Sequence, residues 1–364
     1  MNKYISFFVS SLNVGGVERA FVNLANSLVK DGHKVDFVVC QYVGELKSEL
    51  SSQVNVIVFK DARLRNSVFQ LSRYIKKHSI DCLITGPTYP NIVALIARFV
   101  SRRKIKLFIS QHSYQDIEMK NLGIVGKIAP ILIRSIYNFA SKIICVSEGV
   151  TSDMVKNYNI NPSKIATIYN AVIDEDFFSR SNENIPSTFP TKVFEKEYLI
   201  GVGRLSQVKN YPFMIEAFAR MKHSFQDFDY NLIILGDGEE KDNIQELINR
   251  LNLQDSIFLL GAHSNPLPVF KKAKVFLHTS FSEAMPLVYV EALALNLPVV
   301  TISNNGANEI LKDIKQKAIV DSHNIDEFIT AIHEMLNKNF NDNHLPDLAR
   351  FHSDKIKDSY LALL

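Results

Sequence analysis

The 364-residue chain is 46% apolar and 22% charged, with a net charge of +3, an ordinary globular mixture long enough for two domains. This composition excludes a disordered or low-complexity chain, and no apolar run approaches the roughly 18 residues that span a bilayer. Cys40, Cys82 and Cys145 each sit alone in apolar runs, so they read as small buried hydrophobes in a reducing compartment rather than as disulfide or metal ligands.

Charge is unevenly placed. Residues 1–185 carry 23 Lys and Arg against 15 Asp and Glu, a balance of +8, whereas the remainder has 18 against 23, a balance of −5. A basic first half points to an anionic partner. Nucleic acid is disfavoured, because clustered exposed aromatics and helix-turn-helix or RNA-binding signatures are missing. Membrane headgroups or a phosphate-bearing acceptor fit at least as well.

The opening MNKYISFFVSSLNVGGVERA places Gly15, Gly16, Glu18 and Arg19 where a signal peptide needs a small-residue cleavage site, so it reads as a first strand. Short β-branched runs then alternate with helical patterns, the mark of parallel α/β architecture. Strands are expected at 4–10, 34–40, 55–59, 81–85, 105–110, 142–146 and 165–169, with helices near 16–31, 66–78, 90–101, 127–140 and 148–157. Runs such as FVVC and KIICV are apolar at successive positions, as in strands covered on both faces. A polar, proline-containing stretch at 179–197 follows. The pattern then restarts with strands near 198–203, 231–235, 256–260, 274–279, 297–302 and 317–320, and helices near 209–223, 239–251, 286–295 and 324–337. The chain thus divides into Rossmann-like domains at 1–178 and 179–346, expected to face each other across a ligand-binding cleft. The tail, 347–364, reads as one more helix packing back on the first domain.

Four clusters fall at the C-terminal ends of expected strands, where open α/β sheets bind ligands. Gly15 and Gly16 open a helix whose free N–H groups suit an anion. After the first strand of the second half come Gly203, Arg204 and Lys209, a loop that offers phosphate oxygens a guanidinium fork and a mobile ammonium. In the run Ser282 to Ala292, Pro286 suits a first helical turn, so N–H groups near Met285, Pro286, Leu287 and Val288 would face an anion. Glu283 precedes that turn and Glu291 lies one turn in, so the two carboxylates offer acceptors to sugar hydroxyls. His112 lies just beyond a strand and is open to a structural or a catalytic role.

Other chemistries lack their signatures. Asp227-Phe228-Asp229 and Asp174-Glu175-Asp176 match a metal-binding DxD pattern but read as turn chemistry. No group has zinc spacing, and Gly201-Val202-Gly203 lacks the third glycine of a dinucleotide fingerprint. Neither a GxSxG elbow nor a Walker A loop occurs. A glycosidase pair fits poorly with a helix-borne Glu291.

In order along the chain, these motifs resemble the retaining glycosyltransferases of family 4, which have the GT-B fold. The resemblance rests on Gly15-Gly16-x-Glu18-Arg19, on Asn170-Ala171-Val172 with Asp174 and Phe178, on Val202-Gly203-Arg204-Leu205 with Lys209, on Leu235-Gly236-Asp237-Gly238, and on Glu283-x7-Glu291. It implies a metal-independent transfer of a hexose or N-acetylhexosamine from a nucleotide diphosphate sugar, UDP favoured over GDP, with no cofactor. Arg204 and Lys209 would hold the diphosphate with Gly16 and the turn after Pro286, Glu291 the ribose, and Glu283 the transferred sugar. His112 would lie by the sugar or attacking hydroxyl, and the base near Ala262 and His263. Ala171 and Ala284 stand where the family usually has glycine, and Ser303 to Glu309 replaces a more glycine-rich turn.

The resemblance also implies a cytoplasmic enzyme of surface-polysaccharide assembly, acting on a lipid-diphosphate-linked glycan at the inner face of the membrane. Arg98, Arg102, Arg103, Lys104 and Lys106 form a dense basic patch for anionic lipid, or simply a solvated surface. Lys120, Lys127 and Arg134 recur at seven-residue spacing, with Pro130 expected to break that helix or start a new one. An epimerase of the same fold, and an inactive donor- or partner-binding relative, remain alternatives.

Overall fold

The computed structural model describes residues 2–13, 15–60, 64–114, 123–321, 324–338, 340 and 346–364. The chain forms two compact units, Met1–Asp174 with Ala349–Leu364, and Glu175–Leu348.

Among the described residues the first unit holds a seven-stranded parallel sheet of β1 (Tyr4–Val9), β2 (Lys34–Val39), β3 (Asn55–Val58), β4 (Cys82–Thr85), β5 (Lys106–Gln111), β6 (Lys142–Cys145) and β7 (Ile165–Thr167). Its order is β3-β2-β1-β4-β5-β6-β7. Helices α1 (Gly16–Lys30), α2 (Ser67–Lys77), α3 (Thr88–Ser101), α4 (Gly123–Ile136) and α5 (Glu148–Tyr158) connect the strands. The central strands are apolar on both sides because both faces are covered: Phe7, Phe8, Phe37, Val38 and Ile109 are all inaccessible to solvent. Pro130 lies inside α4 rather than breaking it. Its missing hydrogen bond is offset by burial of Ala129 and Ile133 on either side.

The second unit repeats the plan. After the short helix α6 (Phe177–Ser181) come β8 (Tyr198–Val202), α7 (Tyr211–Ser224), β9 (Asn231–Leu235), α8 (Lys241–Arg250), β10 (Ile257–Leu259), α9 (Leu267–Lys272), β11 (Val275–His278), α10 (Leu287–Ala294), β12 (Val299–Ile302), α11 (Asn305–Ile310), β13 (Lys317–Val320) and α12 (Ile325–Asn337). The sheet order is β10-β9-β8-β11-β12-β13, again all parallel. In each unit the order reverses beside the first strand, between β1 and β4 and between β8 and β11. The crevice at such a reversal is where doubly wound sheets take ligands.

The division falls at Asp174, four residues before the expected boundary. The cause is α6, which the Asn265 amide ties to the second unit through the Arg180 carbonyl at 2.9 Å. The tail forms α13 (Ser353–Ala362), assigned to the first unit. There Ile356 and Tyr360 join the core around α1, and the nearly buried Lys357 pairs with Asp31 at 2.6 Å and Asp354 at 2.9 Å. Ile356→Ala should therefore cost about 2–5 kcal/mol, the range for truncating a buried Ile. Denaturant unfolding of the full chain checks this, and an unchanged midpoint would contradict it.

Candidate active site

Residues of the expected site fall on both units. In the second, the loop after β8 and the loop after β11 flank the reversal of strand order. The first loop is built backbone against backbone. Gly203 donates to the Leu235 carbonyl at 3.0 Å, and Leu205 to the Asp237 carbonyl at 2.9 Å. A Cβ on Gly236, at φ +157°, would lie 1.9 Å from the Gly203 carbonyl oxygen, so only glycine fits. Thr279, just past β11, donates to the carbonyls of Lys209 and Asn210 at 2.9 Å each, and Phe281 N–H donates to Val208. The two loops are thereby stitched together, and their side chains meet.

At their meeting point the Lys209 ammonium donates to Glu283 Oε1 at 2.5 Å, with only 19% and 14% of the two side chains exposed. The same oxygen lies 3.3 Å from His278 Nε2. Burial by itself would raise the Glu283 carboxyl, but the Lys209 charge and the His278 hydrogen bond hold it well below the usual carboxylate range. Burial pushes the His278 imidazole down, against the pull of Glu283. Glu283 is also fixed through its backbone: its carbonyl accepts from Gly306 N–H at 3.0 Å, and a Cβ on Gly306 would strike Pro286 and Glu283 at 2.8–3.0 Å.

The remaining expected residues separate into engaged and open groups. Arg204 does not join Lys209. Its side chain is 74% exposed and pairs with Glu239 at 3.3 Å, a surface contact worth little. Pro286 caps α10 from one position outside rather than opening its first turn. Met285 is buried, while Leu287 and Val288 at the helix start are half-buried, and Glu291 is half-buried one turn further on. The helix-start N–H groups have no intrahelical acceptors. Ala262 and His263 are exposed beyond β10, and the His263 ring packs edge-on against Phe189. Gly261 accepts from Gly236 N–H at 2.8 Å, which brings that segment beside the glycine turn.

In the first unit Gly15 precedes α1 and Gly16 opens it, with nothing within 4 Å of where a Gly16 Cβ would sit. A Cβ on Gly15 would lie 2.3 Å from a Glu18 carboxylate oxygen, so the glycine makes room for that side chain, whose carboxyl burial raises. Arg19 is committed to Glu49 by two hydrogen bonds, at 2.8 and 3.3 Å. His112 follows β5, with Nε2 at 2.6 Å from Ser110 Oγ, its ring edge-on to Phe21, and a buried Nδ1 that takes no partner among the described residues. Burial pushes its pKa down to about 3, so it is neutral near pH 7.

Arg102, Arg103, Lys104 and Lys106 of the basic patch are exposed, and several of its members hydrogen-bond carbonyls. Arg98 donates to the Phe139 carbonyl at 2.7 Å, Arg103 to Lys76, Lys106 to Leu363 and Arg134 to Asn157. Lys120 lies outside the described residues. α3, α4 and the following turn also expose large apolar side chains: Phe99 at 86%, Phe139 at 71%, Ile131 at 62% and Ile128 at 50%. Among the described residues no helix is long and apolar enough to cross a membrane. Sequence reasoning passed over His278, Tyr289 and Thr301, although a lone histidine closing the apolar strand VFLH carries the same strand-end signal as His112.

The two units match two family descriptions in chain order: Glycosyltransferase Family 4 over residues 14–176 and Glycosyl transferases group 1 over residues 187–350. The chain belongs to glycosyltransferase family 4. It is 27% identical over 343 residues to a Campylobacter jejuni N-acetylgalactosamine-N,N'-diacetylbacillosaminyl-diphospho-undecaprenol 4-alpha-N-acetylgalactosaminyltransferase, covering 91% of this chain and 90% of that one. It is 24% identical to an Escherichia coli UDP-Gal:alpha-D-GlcNAc-diphosphoundecaprenol alpha-1,3-galactosyltransferase, over 88% and 84% of the two chains. Its fold matches Anabaena HepE, crystallised with UDP and glucose, at a TM-score of 0.77 and 21% identity over 99% of each chain.

The ion pair of this glycosyltransferase makes two predictions. Lys209→Met alone should destabilise the protein by about 3–5 kcal/mol, because it strands a buried carboxylate, and adding Glu283→Gln should recover part of the loss. Additive losses in unfolding experiments would contradict the pairing. Acid should act in two stages, because the shifts of His112, His278 and Glu283 all lower the folded pKa. The stability due to His112 and His278 is complete above pH 6.5 and that due to Glu283 above pH 4.5, and each is lost on acidification. In Glu283→Gln the fall of Tm below pH 4.5 should be shallower. An equal slope would count against it.

Proposed function

We propose that this glycosyltransferase moves a hexose or N-acetylhexosamine from a UDP-sugar, without metal and with retention of anomeric configuration, to a lipid-diphosphate-linked glycan in surface-polysaccharide assembly. The observation that carries the reading is the Lys209–Glu283 pair at the strand-order reversal of the second unit. It puts an ammonium and an ionised carboxylate side by side, which suits the anionic and hydroxyl ends of a sugar diphosphate. The names of the Campylobacter and E. coli relatives, both of which include diphospho-undecaprenol, support the acceptor class. UDP in the HepE crystal supports the donor.

Glu283 would accept from the transferred sugar's hydroxyls, Glu291 from the ribose, and the segment at Ala262 and His263 would lie along the base. Lys209 has ammonium donors beyond the one given to Glu283. Arg204, held only by a surface pair, swings to the diphosphate at little cost. The acceptor hydroxyl attacks the anomeric carbon from the leaving group's own face while the sugar–phosphate C–O bond breaks. The departing phosphate takes the hydroxyl proton. Arg204 and Lys209 stabilise the charge that develops on it, which is the role of a metal in other transferases. Neutral His112 would line the sugar or the attacking hydroxyl.

The acceptor is embedded in lipid, and the exposed Phe99, Phe139, Ile131 and Ile128 give the first unit an apolar surface for an anionic bilayer. Exposed Arg102 and Lys104 stand beside it. This surface supports the reading of a peripheral enzyme on the cytoplasmic face of the membrane.

Transfer from UDP-N-acetylgalactosamine, UDP-N-acetylglucosamine, UDP-galactose or UDP-glucose to undecaprenyl-diphosphate-linked saccharides, with product anomers read by NMR, tests the reaction. One UDP-sugar should be consumed only with acceptor and with retention. Arg204→Ala should lower kcat by about 100-fold or more. Donor turnover without acceptor would favour the epimerase, and the absence of any nucleotide-induced Tm shift would favour a non-catalytic relative. In flotation with phosphatidylglycerol-containing vesicles, Phe99→Ser with Phe139→Ser should weaken binding by about tenfold or more, from lost apolar burial. Unchanged binding would remove this surface from the account.

A further inference from the structure

His278 closes β11 and is 3% exposed, surrounded by polar groups that water does not reach. Its Nε2 faces Glu283 Oε1 at 3.3 Å, with Ser280 Oγ also at 3.3 Å. Its Nδ1 lies 2.8 Å from the Tyr289 hydroxyl, which lies 2.7 Å from Thr301 Oγ1. Ser280, Tyr289 and Thr301 are inaccessible to solvent.

The proton positions follow from the chemistry of the ends. An ionised carboxylate only accepts, so Nε2 carries the hydrogen. Nδ1 is then a lone pair and takes the Tyr289 hydrogen, while the single Thr301 hydrogen lies within reach of both the Tyr289 oxygen and the Ile302 carbonyl, at 2.7 and 3.1 Å. The chain Tyr289 to His278 to Glu283 thus fixes one neutral tautomer and one ring orientation. Oε1 of Glu283 is committed to Lys209 and His278. Oε2 takes no hydrogen bond among the described residues, which leaves it as the oxygen available to a ligand.

We infer that His278 is a positioning residue for glycosyl transfer, with Tyr289 behind it: together they aim Oε2 of Glu283 at the hydroxyls of the transferred sugar. The inference rests on the donor reading above, in which Glu283 holds the sugar and other residues hold the nucleotide. It makes the loss of His278 selective. The grip on the diphosphate stays, and the grip on the sugar goes.

The test is calorimetric binding of UDP, and of whichever UDP-sugar turns over, together with kcat and Tm, for the wild type, His278→Ala, His278→Gln and Tyr289→Phe. In His278→Ala, UDP affinity should stay within about twofold, while the affinity gained from the sugar and kcat should each fall about tenfold or more, the scale of one charged hydrogen bond. His278→Gln, whose amide N–H reaches the former Nε2 position, should recover most of both. Tyr289→Phe keeps the ring, and should show a smaller loss of the same pattern even if His278→Ala does not fold. Parallel loss of UDP and UDP-sugar affinity with no rescue by glutamine would reduce His278 to a structural role and overturn the inference. So would unchanged sugar affinity and kcat in both His278→Ala and Tyr289→Phe. A wild type that binds no UDP would instead overturn the donor reading, and the inference with it.

Discussion

Lys209 and Glu283 come from loops 74 residues apart in sequence, yet they form a nearly dry ion pair where β8 and β11 lie side by side. Taking two charges out of water costs several kcal/mol per ion, and close pairing with further hydrogen bonds is needed to offset it. His278 supplies the third contact, and Gly306 fixes the carboxylate's own backbone. A doubly wound sheet creates this opportunity because neighbouring strands at the reversal send their loops in opposite directions and leave a crevice. The sheet provides the place, and the ion pair gives it a defined charge.

That charge needs close loops, and the loops are close because glycine allows it. Gly203, Gly236 and Gly238 all take positive φ, and side chains on the last two would collide with backbone of the 203–205 segment. Arg204 is left outside this tight construction, exposed and weakly paired. Lys209 sits inside it. One basic residue is therefore held in place, and the other is left at the surface.

Much of this was legible in the sequence. Doubly apolar strands such as KIICV and FVVC announce a covered parallel sheet, and the position of Gly203, Lys209 and Glu283 after expected strands marks loops that the structure brings together. The short helices α6, α9 and α11 were not legible: each has six residues or fewer, too short for a 3.6-residue period to emerge. Pro130 suggested a break that tertiary packing overrides. The basic patch is exposed at Arg102, Arg103, Lys104 and Lys106, but sequence does not show that Arg98 and Lys106 also donate to nearby and distant carbonyls. His278 was missed for a related reason. A histidine at the end of an apolar strand looks like core, and only the geometry brings it to Glu283.

The proposed site needs Glu283 as a carboxylate held ionised by its neighbours. A ¹³C titration of glutamate side-chain carboxyls, with Glu283→Gln used to assign the resonance, measures this directly. The signal should remain that of a carboxylate at pH 4.5, the ordinary midpoint for the group, and well below it for as long as the fold persists. A midpoint at or above pH 4.5 would mean that burial wins over Lys209 and His278, and would contradict the proposed site.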